Sequence, residues 1–276
     1  MHHKICIPPM QKRVFASLSI AVLLLAAFTL SVSAEEKSDG QSTWEFYVAP
    51  FVWALSADGH VTLKGINADV DMSFNDIRDQ LNMAAMVEYG GRKGNWGVWG
   101  HTIYANLGKD TTVAGIKIDP TIKIWWQVIG GSYRLGTWHL SDAPGKKAPA
   151  VTLDTYFGGR YTHLGVELDL KGFPNRDGNK QWVEPLIGLS TLWDLSERWA
   201  VQLRGDIGGI AFGSDFAWDA FALIGYRFPL FKKENNAAIF AGYRALHQDY
   251  TDGSGDDKFK WDVTLDGPIL GLRIDF

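Results

Sequence analysis

From Trp44 to the C-terminal Phe276, hydrophobic and polar side chains alternate with a period of two in run after run, the pattern of strands with one greasy face. Residues 151–163 show it most cleanly. Leu153, Thr155, Phe157 and Tyr161 share one face, and Asp154, Tyr156, Gly158 and Arg160 share the other. In 199–210, Val201, Leu203 and Ile207 oppose Gln202, Arg204 and Asp206; in 83–92, Met83, Ala85, Val87 and Tyr89 oppose Glu88 and Arg92. In 121–135, Ile122, Ile124, Trp126 and Val128 oppose Lys123 and Gln127, and Gly130-Gly131 reads as a bulge. Further runs at 43–56, 96–107, 181–192, 218–228, 239–246 and 261–276 bring the count to ten spans. Uncertain boundaries leave eight or twelve open. Residues 75–81 read as one or two helical turns capped by Asn75 or Ser73, within an elaborated loop, 57–81. Connections alternate roughly between short (93–95, 194–198, 229–236) and long (57–81, 108–119, 164–180, 247–258), with 136–149 and 211–217 breaking the rhythm.

The last run, WDVTLDGPILGLRIDF, puts Leu270, Leu272, Ile274 and Phe276 on one face and Arg273 and Asp275 on the other. A terminal aromatic on an alternating strand has the form of the insertion signal of outer-membrane barrels, carried here by Gly271, Ile274 and Phe276. At the other end, Lys12-Arg13, an apolar run over 14–30 and Val32-Ser33-Ala34 form a secretory signal peptide cleaved after Ala34. Either Met1 or Met10 can be its start. The expected organisation is therefore a signal peptide over 1–34, a polar leader over 35–42, and a barrel over 43–276. Cys6, the one cysteine, leaves with the signal, so disulfide and thiol chemistry are absent from the mature chain.

Charge and composition narrow the field. Processing leaves 24 basic residues (27 less Lys4, Lys12 and Arg13) against 31 acidic ones, a net charge of about −7. That excludes nucleic acid as an expected partner. No later segment has the roughly 20 apolar residues of a membrane helix. All 12 tryptophans follow the signal, a load suited to membrane–water interfaces. The fold class these features point to is all-β: a closed antiparallel up-and-down transmembrane barrel in the outer membrane of a Gram-negative bacterium.

The opposite faces then define a lumen. Its expected charge network is Glu88, Arg92, Asp154, Arg160, Glu184, Arg204, Asp206, Asp219, Arg227 and Arg244, with both signs interleaved. A ring of one sign would select ions. Mixed signs form internal ion pairs that fill a small barrel, although the same residues could line a narrow polar channel. A weak repeat supports the alternation: GGR at 90–92, GSYR at 131–134, GGRY at 158–161, GYRF at 225–228 and GYRA at 242–245. Where Tyr adjoins Arg, one ring faces outward and one guanidinium inward. His60, His101, His139, His163 and His247 are scattered, and only His247 with Asp249 makes a base–carboxylate spacing. No metal-ligand or cofactor motif is recognisable, and no catalytic residue is assigned.

The stretches WEFYVAPFVWALSADG, VDMSFNDIRDQL, GRKGNWGVW, WVEPLIGL, ERWAVQLRGDIGG, GYRF, GYRA and DGPILGLRIDF run in order through the mature chain. Together they resemble a family of bacterial outer-membrane β-barrel proteins whose members mostly lack an assigned biochemical role. The resemblance implies a barrel and an address, not a reaction. One departure is His101, where an acidic residue is usual. The expected function is a structural barrel or narrow passive pore for small solutes. Its alternatives are a surface-binding or adhesion barrel acting through long extracellular loops, and a barrel hydrolase acting on lipid or peptide. The expected partners are outer-membrane lipid and the barrel-assembly machinery; any extracellular ligand is unknown.

Overall fold

The computed structural model describes residues 43–63, 66–108, 111–113, 116–140, 149–170, 176–230 and 233–276. The expected signal peptide, its cleavage point at Ala34 and the leader lie outside them. In chain order the elements are β1 (Glu45–Trp53), β2 (Ser56–Leu63), β3 (Ile66–Met72), α1 (Phe74–Gln80), β4 (Leu81–Lys93), β5 (Trp96–Gly108) and β6 (Thr111–Val113). There follow β7 (Ile116–His139), β8 (Ala150–Leu170), β9 (Arg176–Asp194), β10 (Trp199–Phe212), β11 (Ser214–Leu230), β12 (Lys233–Asp252) and β13 (Phe259–Asp275).

Every neighbouring pair is antiparallel, and β1 pairs both β4 and β13, closing the sheet. With β2, β3 and β6 outside the ring, ten strands form the wall, as the alternation implies. β2 continues β1 along β13 after an interruption at Ala54-Leu55, and β3 folds back on β2. One rung of paired residues runs from Glu45 through Arg92, Gly97, Ser132, Tyr156, Gly188, Asp206, Asp219, Leu246 and Leu265 to Ala57. The stagger on one circuit is therefore 12 residues (57 − 45). For ten strands this fixes a tilt of about 40° and a backbone radius of about 10 Å. A bore of that width is filled by side chains.

The two faces differ as the alternation requires. Val98, Ile129, Phe157, Ile187, Leu203, Ile207, Ile224 and Leu270 are exposed on the outside. Such a belt is far more than the scattered apolar residues of an ordinary surface. Aromatic side chains rim it. At the basal end, which carries Glu45 and Asp275, Trp44, Phe46, Trp193 and Phe276 are exposed, with Trp96 edge-on to Tyr133 and Trp199 to Tyr226. Toward the apical end Trp125 meets Tyr161 edge-on and Trp218 stacks with His247. At about 2.5 Å of axial rise per residue, the two rims lie roughly 20–25 Å apart.

Several sequence expectations need correction, and β8, β9 and β12 run on into the expected loops 164–180 and 247–258. On β7, Trp126 and Val128 point inward, while Trp125 and Ile129 are exposed. The lumen at that level is a packed apolar layer, so the greasy face and the outer face no longer coincide. Outward-facing Gln127 is satisfied locally by the Thr102 hydroxyl (2.6 Å) and the Tyr89 hydroxyl (3.0 Å). Gly130-Gly131 stays in register; the irregularity falls between Arg134 and Gly136. The loop 57–81 is the β2–β3 hairpin followed by α1, which Ser73 caps in a reciprocal capping box with Asp76.

The β10–β11 hairpin has a tight connection, and its tip turns inward at Gly213 (φ 83°), where Ser214 is buried. A Cβ there would stand 1.9 Å from the Val183 carbonyl oxygen. Gly213→Ala is therefore expected to lower stability by more than the roughly 1–2 kcal/mol of a left-handed residue alone. Urea unfolding of the refolded protein measures it; an unchanged midpoint would contradict this tip geometry.

Candidate functional site

The inward faces of β8 to β12 carry a continuous ionic cluster. Arg160 on β8 is 1% exposed and donates to Glu184 on β9 and to Asp206 on β10, each at 2.7 Å, with Asp219 on β11 at 3.8 Å. Arg244 on β12 donates to Asp219 through Nε (3.1 Å) and Nη2 (2.5 Å), and its Nη2 lies 3.3 Å from Nε2 of His101 on the opposite wall. The Tyr156 hydroxyl donates to the second Asp206 oxygen at 3.0 Å. Each buried charge thus meets more than one partner. A lone ion inside the wall would cost several kcal/mol.

Several bonds cross the bore rather than follow it. Trp126 Nε1 on β7 donates to Gln248 Oε1 on β12, five places away round the ring, at 3.1 Å. The Gln248 amide donates in turn to Thr162 (3.0 Å) and Glu184 (3.2 Å), and the Ser214 hydroxyl at the inturned tip donates to the other Glu184 oxygen. Around these bonds Phe51, Trp53, Ile103, Leu246, Val263, Leu265 and Ile269 pack as a buried apolar cluster. Above the short β10–β11 hairpin, Trp182 stacks on Tyr250 at 4.2 Å, and Lys180 reaches Asp252 at 2.7 Å. Among the described residues, the apical half of the lumen is closed.

The basal half is different. A cavity of about 380 Å³ is lined by Tyr47, Glu88, Arg92, Trp99, Asp154 and Arg204, among others. Arg204 spans it, its guanidinium 3.8 Å from the Trp99 ring centre and 4.3 Å from that of Tyr156, with Glu88 at 3.5 Å across the bore. Near the mouth Asp154 is shared by Arg92 (2.9 Å) and Arg134 (3.3 Å), and Arg227 pairs with Asp194. Opposite charges are matched pair by pair, and no ring of one sign forms.

All ten residues of the expected network thus lie on the inward face. Arg160, Glu184, Asp206, Asp219 and Arg244 come together in the cluster; Glu88, Arg92, Asp154, Arg204 and Arg227 line the vestibule beneath it. Sequence reasoning missed Asp194, which belongs to β9 rather than to a turn, and Arg134, although the GSYR repeat contains it. It placed Tyr156 on the inward face without a role, and it missed Trp126, Gln248 and Ser214. Phe276 is exposed, and its backbone N–H donates to the Phe46 carbonyl at 2.9 Å; Gly271 and Ile274 pair with β1. His247 faces outward. Its Nδ1 is 3.1 Å from the Thr264 hydroxyl and its Nε2 is 4.0 Å from Asp262, whereas Asp249 pairs with Lys260 at 3.7 Å.

No protein-family model matches the chain, and no curated protein does. Solved structures similar to it are bacterial outer-membrane barrels. The attachment invasion locus protein Ail of Yersinia pestis is 11% identical, covers 84% of this chain and 98% of its own, and scores a TM-score of 0.37. Neisserial surface protein A gives 10%, 86%, 100% and 0.33, and the translocator domain of the autotransporter NalP from Neisseria meningitidis 11%, 96%, 98% and 0.35. Likeness at this level carries no functional inference.

Arg160→Met leaves buried Glu184 and Asp206 without their cation and is expected to cost about 3–5 kcal/mol. Asp154→Asn at the wetter mouth should cost about 1 kcal/mol or less. Urea unfolding of both variants reads the difference; equal small losses would contradict a dry ionic cluster.

Proposed function

We propose that the chain is a bacterial outer-membrane barrel with a structural role, whose lumen does not conduct solutes at rest. The membrane reading rests on the exposed apolar belt between two aromatic rims, at the roughly 25 Å spacing of an outer-membrane apolar band. A closed sheet also leaves no unpaired edge for hydrocarbon, apart from one stretch of β4 taken up below. Basal turns and both described termini then face the periplasm, and the vestibule opens there. Lipid is the solvent of the outer face, and the C-terminal strand ending in Ile274 and Phe276 is the segment offered to the assembly machinery.

The observation that carries the non-conducting reading is the Trp126–Gln248–Glu184 chain, which ties opposite walls together above the ionic cluster. A narrow passive pore would need those side chains to move apart together. Catalysis is not part of this reading, since Asp249 is tied to Lys260 and His247 faces outward beside Thr264.

Refolded protein in planar bilayers is expected to show no discrete conductance steps, and Trp126→Ala with Gln248→Ala to introduce small ones. Steps in the unaltered protein would overturn the closed-lumen reading. Failure to float with lipid vesicles would overturn the membrane reading itself.

A further inference from the structure

The wall is not paired along its whole length. The β1–β4 ladder ends at Pro50 and Val87. Above that point β1 passes into β2, which follows β13 away from β4, and β3 pairs only with β2. Residues 81–86 of β4 are therefore laddered to β5 alone, and their other edge meets no strand. Across the opening Trp53 N–H meets the Met86 sulfur at 3.3 Å, a poor acceptor where a carbonyl would normally stand. Residues 81–85 are exposed on both faces of the strand, the inward ones included.

The opening reaches the upper edge of the membrane band. Met83 is nine positions from Arg92 at the basal end, hence about 23 Å above it on the tilt already derived. Its rim carries no charge: Pro50, Phe51, Val52 and Trp53 on one side, Leu81, Asn82, Met83, Ala84, Ala85 and Met86 on the other. Met83 and Met86 lie on its rim, and Met72 packs with Met86 against the buried cluster that includes Phe51 and Trp53. Unbranched thioethers make an adaptable apolar surface, suited to a guest of variable shape. Behind Met86, Trp53 is 2% exposed and its indole N–H has no partner among the described residues, a buried donor awaiting an acceptor.

From this we infer that the seam between β1 and β4 is a lateral binding site for the acyl chain of a bilayer lipid. The chain lies between Val52 and Met83, displaces the Met86 side chain, and offers its ester carbonyl to the Trp53 indole. The inference rests on the membrane reading above. A peptide strand added to the free edge of β4 is the competing occupant. It would pair with the open N–H and C=O groups of that edge, whereas the side chains at the rim match hydrocarbon.

The test uses the full mature barrel in vesicles doped with a phosphatidylcholine carrying a diazirine in mid-chain, with mass-spectrometric mapping after illumination. Adducts are expected on the outward belt, for example Val98 and Leu203, and also on inward-facing Trp53, Ala84 or Met86. Inward residues behind intact wall, Val128 and Leu186, should stay unmodified. Ala84→Trp should remove the inward adducts and keep those on Val98; should it not fold, the unaltered protein still decides. Belt adducts without inward ones would overturn the seam site and leave the membrane reading standing. Adducts nowhere on the belt would overturn both. A peptide cross-linked along 81–86 in place of lipid would also overturn the proposal.

Discussion

The ladder between β13 and β1 turns a long twisted sheet into a wall with almost no free edge, and the rest of the molecule follows from it. Once Val48 pairs with Ile274 and Phe51 with Gly271, the stagger of the circuit is set and with it the tilt and bore. A bore of about 10 Å radius leaves room for side chains but not for much water. Inward residues must then satisfy one another across it. The ionic cluster and the apolar layer above it are two answers to that one geometric demand.

The demand is met differently at different heights. Near the basal mouth Arg92, Arg134 and Asp154 remain partly wet, and their pairing is cheap to make and to lose. At Arg160 water is gone, so three carboxylates converge on one guanidinium and a second arginine, Arg244, balances Asp219. Higher still there are few charges, and Trp126, Ile103, Leu246 and Val263 fill the space by packing. The short β10–β11 hairpin belongs to the same scheme: its tip bends in so that Ser214 can meet Glu184, and Trp182 with Tyr250 covers the notch left above.

Much of this was legible in the chain. Alternation in 151–163 and 199–210 assigned Arg160, Arg204 and Asp206 to the inside because one polar face among greasy ones admits no other arrangement in a barrel. The Tyr-Arg repeats placed Tyr226 and Tyr243 outside and Arg227 and Arg244 inside for the same reason. What the chain could not display is which strands face each other across the bore. Trp126 and Gln248 are 122 residues apart, and only the summed stagger of the intervening hairpins brings them together. β7 was misread because its inward face is as apolar as its outward one, so polarity no longer distinguishes inside from outside. The free edge of β4 follows from where β2 goes, along β13.

Central to the account is the claim that outward residues meet hydrocarbon while inward neighbours meet the vestibule. Single cysteines at Gln202 and Leu203, adjacent on β10 and pointing to opposite faces, test it most directly in a cysteine-free background reconstituted into vesicles. Gln202→Cys is expected to react with a water-soluble, membrane-impermeant maleimide, and Leu203→Cys only with a reagent dissolved in the bilayer. Equal aqueous reactivity at both positions, or the reverse preference, would contradict the account.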